Sequence, residues 1–149
     1  MRNVRYADAT LLEHQGKWWL FLTLKHGWSA LSRDLFVFHA GQPLTDQWTA
    51  HPGNPVVRGF TRARPAGPIF EHEGKLFRPS QDCLVRYGHS LRVNEIIRLD
   101  EKVYEERAIT HVMPDWEAGI RAVHHLDWRD DMLVLDTQRL LPIREAIGL

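Results

Sequence analysis

Leu11-Leu12-Glu13-His14-Gln15-Gly16-Lys17-Trp18-Trp19 returns 58 residues later (71 minus 13) as Ile69-Phe70-Glu71-His72-Glu73-Gly74-Lys75-Leu76-Phe77. Glu, His, Gly and Lys are identical in the two runs, and apolar residues stand on both sides of each. Each run reads as strand, tight turn, strand, with Gly16 or Gly74 supplying the positive φ that a short hairpin turn needs. A fainter third copy is His124-His125-Leu126-Asp127-Trp128-Arg129-Asp130-Asp131-Met132-Leu133-Val134-Leu135, where a polar Arg-Asp-Asp turn replaces the glycine. Leu76 to Met132 keeps the spacing at 56 residues (132 minus 76).

More strand-like runs lie between the copies. Leu35-Phe36-Val37-Phe38-His39 is one, ended by Gly41-Gln42-Pro43. Ser90 to Leu99 alternates apolar and polar residues, the pattern of a half-buried strand, and Val103 to Ile109 is its natural partner across Asp100-Glu101-Lys102. Four short strands in each unit of roughly 50 residues is the arithmetic of a propeller blade. The expectation is therefore an all-β single domain over 1–149, an incomplete β-propeller of about three antiparallel four-stranded blades at 6–60, 61–115 and 116–149. Gln47 to Pro55, rich in turn formers, reads as a blade connection, and Asp136 to Ile147 has room for a short helix limited by Pro142.

Composition narrows the function classes. The 19 basic and 19 acidic residues cancel, which argues against a nucleic-acid partner, since phosphate neutralisation needs a basic excess. No apolar run reaches the roughly 18 residues of a transmembrane helix, and Met1 to Asp8 does not resemble a secretory leader. A cytoplasmic protein with no membrane partner is expected. The single cysteine, Cys83, cannot form an intramolecular disulfide, and no Cys/His cluster points to a metal or other cofactor.

The residues also resemble a known family. The runs Leu35 to Leu44 and Gln47-Trp48-Thr49-x-His51-Pro52-x-Asn54-Pro55-Val56 are similar to five-bladed propellers of the glycoside hydrolase 43/32 type. Closer still is the N-terminal domain of the glucosamine inositolphosphorylceramide transferase family. That resemblance rests on Arg62-Ala63-Arg64-Pro65-Ala66-Gly67, Leu76 to Cys83, Tyr87-Gly88, Asn94-Glu95-Ile96 and Tyr104-Glu105-Glu106, preceded by Asp8 and Gly16-x-Trp18-Trp19-Leu20-Phe21. It runs in order over residues 6 to 107 and implies a propeller with a carbohydrate-related role. In the related glycosidases, inner-strand carboxylates act as base or nucleophile and as acid. Asp8 stands where such an Asp opens a blade, whereas Ala66, 58 residues on (66 minus 8), stands where some glycosidases place an acid.

Glycoside cleavage needs two carboxylates about 5–10 Å apart. The candidates for that role are Asp8 and Asp82, with Glu95 a third. Arg64, Arg78, Gln81 and Tyr87 are candidates to bind substrate, because Arg, Gln and Asp together grip sugar hydroxyls or a phosphate through charge-assisted bonds. Each has a structural alternative: turn caps for the aspartates, ion pairs between blades for the arginines. His14 and His72 read as exposed turn residues, and Trp18, Trp19, Trp48, Trp116 and Trp128 mostly as packing residues able to stack on sugars.

Two functions follow: a carbohydrate-binding or assembly protein that keeps part of a glycosidase-like scaffold, or a glycoside hydrolase or sugar-transfer enzyme completed by oligomerisation. About three blades where relatives have five leaves open strand edges, a known liability. Self-association, with a dimer covering those edges, is expected.

Overall fold

The computed structural model describes residues 5–24 and 33–141. Among these the chain is all β, with no helix and no closed barrel. The first sheet holds β1 (Tyr6–His14), β2 (Lys17–Leu24), β3 (Asp34–Ala40) and β4 (Thr49–Ala50) in that order, and β5 (Val57–Arg58) also pairs with β3. The second holds β6 (Arg64–Pro65), β7 (Phe70–His72), β8 (Lys75–Asp82), β9 (Ser90–Leu99) and β10 (Tyr104–Val112), ordered β10-β9-β8-β6 with β7 also on β8. Every pairing is antiparallel.

The sequence repeat is a structural one. Shifted by 58, β2 (17 to 24) falls on β8 (75 to 82), and β1 (6 to 14) falls on 64 to 72, the combined span of β6 and β7. Each sheet is thus four strands wide, with one strand interrupted. Both hairpins close on two residues at positive φ, Gln15 (51°) with Gly16 (72°) and Glu73 (50°) with Gly74 (72°). Those are the dihedrals of the mirror-image turn whose twist matches the flanking strands.

The run from Gln47 to Pro55 differs from its reading as a blade connection. It supplies the fourth strand of the first sheet, broken between β4 and β5. Across the break the Asn54 side chain takes the place of a strand backbone: its Oδ1 accepts from Val37 N at 2.8 Å and its Nδ2 donates to Val37 O at 2.7 Å. The turn-forming composition is real, but a side-chain amide can satisfy a ladder as a peptide does.

The third unit is a single interrupted hairpin. Here β11 (Ile120–Ala122) and β12 (Leu126–Arg129) return as β13 (Met132–Leu135) and β14 (Gln138–Arg139). The tail expected to start a helix instead begins with β14, while residues 142–149 of that stretch lie outside the described residues.

Alternation decides the core. Trp19, Phe21, Leu35 and Val37 project from one face of the first sheet and meet Ile69, Ile96, Leu99 and Tyr104 of the second. Leu20, Leu22, Leu24, Phe36 and Phe38 occupy the other face with Trp48. Apolar residues on both faces are expected of strands sandwiched between layers. A further cluster (Ala66, Leu91, Val123, Leu126, with Phe70 and Trp128 against it) joins the second sheet to the third unit.

Candidate functional site

The first strands of the three units meet along one line. Thr10 Oγ1 of β1 donates to Gly67 O at 3.3 Å, and Leu126 N of β12 donates to Ala66 O at 2.8 Å. Where they meet, each is irregular. β1 bulges between Ala7 and Thr10, with Asp8 at φ 53°. The equivalent strand breaks between β6 and β7 at Gly67 (φ 133°), and the third breaks at Val123 to His125. Bulges re-aim side chains, and these irregularities open a cleft of about 360 Å³.

Asp8, Gln81, Tyr87, His124 and His125 line that cleft. The Asp8 carboxylate, 32% exposed, pairs with Arg64 Nε at 2.5 Å. The Arg64 guanidinium lies 4.6 Å from the centre of the Tyr87 ring, a cation–π contact, and His124 meets that ring edge-on at 5.7 Å. Tyr87 is therefore held on two sides while remaining 56% exposed. Gln81 is buried and donates through Nε2 to Pro65 O at 3.1 Å. Asp136 accepts from the backbone N–H of His124 (2.9 Å) and of His125 (2.8 Å), and also contacts His124 Nδ1. An imidazole whose Nδ1–H faces a carboxylate presents Nε2 elsewhere.

Asp8, Arg64, Gln81 and Tyr87 are thus brought together. The other sequence candidates are placed apart. Asp82, one residue past Gln81, does not line the cleft. Its Oδ2 takes Arg92 Nη2 at 2.9 Å and lies 3.8 Å from His111 Nε2, and its Oδ1 caps Leu84 N at 3.1 Å. Glu95 sits opposite Phe77 in the ladder, while Asp82 sits opposite Ser90. Five residues of β8 separate the two positions, about 17 Å at the usual strand rise. Glu95 binds Arg107 Nη2 at 2.6 Å, and this hydrogen bond holds its carboxyl below the ordinary range against the opposing pull of desolvation.

Arg78 is 1% exposed, and its Nε and Nη2 each lie 2.8 Å from an oxygen of Glu106, while Nη2 also donates to Arg62 O at 2.8 Å. Tyr104 Oη donates to Glu106 at 2.5 Å. Burial alone would raise the Glu106 carboxyl, but the charge and hydrogen bonds of Arg78 outweigh it and the carboxyl falls below its ordinary value. Burial and the neighbouring Glu106 push the Tyr104 hydroxyl well above its ordinary value, although Arg78 opposes them.

Sequence reasoning missed His124 and His125 as cleft residues, and Asp136 as the carboxylate that holds them. The paired histidines beside the third copy were the available signal, whereas Asp136 becomes visible only once β13 returns beside β12. Among the described residues no group of His, Cys, Asp and Glu could hold a metal ion.

Strand layout and cleft together define the chain as an all-β, propeller-like domain with a polar cleft where its repeat units converge. No solved structure matches it. Residues 2–141 match the family described as glucosamine inositolphosphorylceramide transferase 1, N-terminal, and the chain belongs to that family. It is 31% identical over 129 residues to the glucosamine inositolphosphorylceramide transferase 1 of Oryza sativa subsp. japonica, and 33% identical over 130 residues to that of Arabidopsis thaliana. Each alignment covers 80% of this chain, which spans only 17% of the relative's length. The kinship is therefore with the N-terminal region of sugar-transferring proteins.

Proposed function

We propose that this domain binds a carbohydrate, the sugar-bearing headgroup of a glycolipid or its donor sugar, in the cleft around Asp8 and Tyr87. The observation that carries this reading is the Tyr87 ring, held by Arg64 and His124 yet open to the cleft beside the Asp8 carboxylate. An exposed aromatic face packs on the apolar face of a sugar ring, and a carboxylate accepts from its hydroxyls. The relatives' name adds glucosamine and an inositol phosphate headgroup as the ligands to try first. Titration calorimetry with glucosamine and with inositol phosphate tests the proposal. Tyr87→Ala and Asp8→Asn should each weaken binding by about tenfold or more, the loss of one good contact. Binding unchanged in both variants would remove the cleft from the account. A hydrolytic function finds less support, because Asp8 faces the cleft while Asp82 and Glu95 are engaged elsewhere.

The assembly reading has its own observation. Among the described residues β13 pairs only with β12, and its Met132, Leu133 and Val134 are all exposed. Apolar side chains on both faces suit a strand with neighbours on each side. A second copy of the chain is the proposed cover for this edge. Light scattering at micromolar concentration should then give the mass of two chains, and Val134→Lys should return it to one. A single-chain mass for the unaltered protein would end the proposal.

A further inference from the structure

A second cleft, of about 440 Å³, begins where the first one ends. Pro68 lines both. Along the chain the walls run on in order: Pro65, Gly67, Pro68, His124 and His125 border the first cleft, residues 68–72 and 127–130 the second. The two hollows therefore lie end to end on one pair of strands, with the Leu126 N to Ala66 O bond between them. From Gly67 to His72 the wall extends by five residues, about 17 Å at the usual strand rise.

The second cleft has an aromatic floor with acidic walls. Trp128 stacks on Phe70 at 5.8 Å with 17° between the planes, and Phe70 stacks on Phe77 at 5.5 Å. His72 leans on the same indole at 5.7 Å. Phe70 and His72 contact Trp128 directly and Phe77 backs Phe70, which reduces the side-chain freedom a ligand would have to remove. Around it stand Glu71, Asp127 and Asp130, each exposed, against one arginine, Arg129. Carboxylates beside a fixed indole accept sugar hydroxyls and amino groups, and their excess disfavours an anionic ligand.

We propose that the two clefts are subsites of one groove, and that its ligand is an oligosaccharide of neutral or amino sugars lying along β7 and β12. This deepens the carbohydrate reading and rests on it. A single sugar fills only the Asp8–Tyr87 end; further sugars reach Trp128.

The test compares glucosamine with its oligomers up to the tetrasaccharide by titration calorimetry on the full chain. Affinity should rise by about tenfold or more from monosaccharide to tetrasaccharide. Glu71→Gln with Asp127→Asn, both at exposed positions, should abolish that rise and leave monosaccharide binding unchanged. Trp128→Phe, which keeps a ring in the stack, should reduce it. Tyr87→Ala should weaken every member of the series. Monosaccharide binding that depends on Tyr87 but does not grow with length would overturn the extended groove and leave the single-sugar cleft standing. Absence of binding throughout the series would overturn both.

Discussion

Glu106→Gln should destabilise the fold by about 3–5 kcal/mol, the usual cost of stripping one partner from a buried ion pair. Arg78 and Glu106 side chains are 1% and 3% exposed; Nε and Nη2 of the guanidinium are taken by Glu106 and the Arg62 carbonyl, while its buried Nη1 has no hydrogen-bond partner among the described residues. Without the carboxylate, a full positive charge stays in the layer between the two sheets, where Tyr104 packs edge-on against Phe21 at 5.9 Å. The thermal midpoint should fall by about 10 °C for a chain of this size. Replacing both partners, Arg78→Met with Glu106→Leu, should recover part of the loss by removing the buried charge, the remainder being the Tyr104 hydroxyl and the Arg62 carbonyl left without these partners. A urea titration in which the single variant costs less than about 1 kcal/mol would show that the pair is solvated after all. The same experiment separates the two readings of Arg78: a ligand-binding arginine would leave stability alone and reduce only affinity.

The pH dependence follows with its sign. The Glu106 carboxyl is lower in the fold than its ordinary value of 4.5, so its contribution is complete above that pH. It disappears as pH falls through the lowered folded value. Tyr104 is raised well above 10.0, so the stability it contributes is present below pH 10 and declines as pH rises past it. The network should therefore be at full strength between these limits.

Gly67→Ala should cost about 2–4 kcal/mol, from strain at a left-handed φ plus a broken interstrand bond. A Cβ at this position would lie 2.0 Å from Leu126 O, at φ 133°. Neither group can yield cheaply, because both belong to backbone. The loss should appear first in the third unit, as faster hydrogen exchange at the Leu126 amide, which bonds Ala66 O. Gly59→Ala is the control, with φ 107° and nothing within 4 Å of its Cβ, so it carries strain without collision. Equal costs for the two variants would mean that strain alone acts and that the close approach to β12 is unimportant. The variant also tests the cleft, because Gly67 lines it.

How far these features were legible depends on how local they are. The hairpins at Gln15-Gly16 and Glu73-Gly74 could be read because turn dihedrals and strand alternation are written in adjacent residues. Ser90–Leu99 has the same bounds in sequence and structure for that reason. The broken strand at Asn54 could not be read, since a turn-rich run gives no sign that a side-chain amide will complete the ladder of β3. Arg78 offered two readings in sequence. Its burial follows from Glu106 lying two strands away, a fact of register rather than of either residue.

The 58-residue repeat, with its identical Glu, His, Gly and Lys, was enough to specify strands, turns and an all-β class from local chemistry. The count of strands in the third unit, the line along which three irregular strands converge, and the company each charged side chain keeps came from long-range pairing. Asp8 and Glu95 carry the same functional group, but a bulge turns one into a cleft beside Tyr87 and ladder register sets the other against Arg107. Local sequence encodes dihedral preference and alternation; which carboxylate meets which cation depends on how the sheets stack, and that is an energy of the whole core.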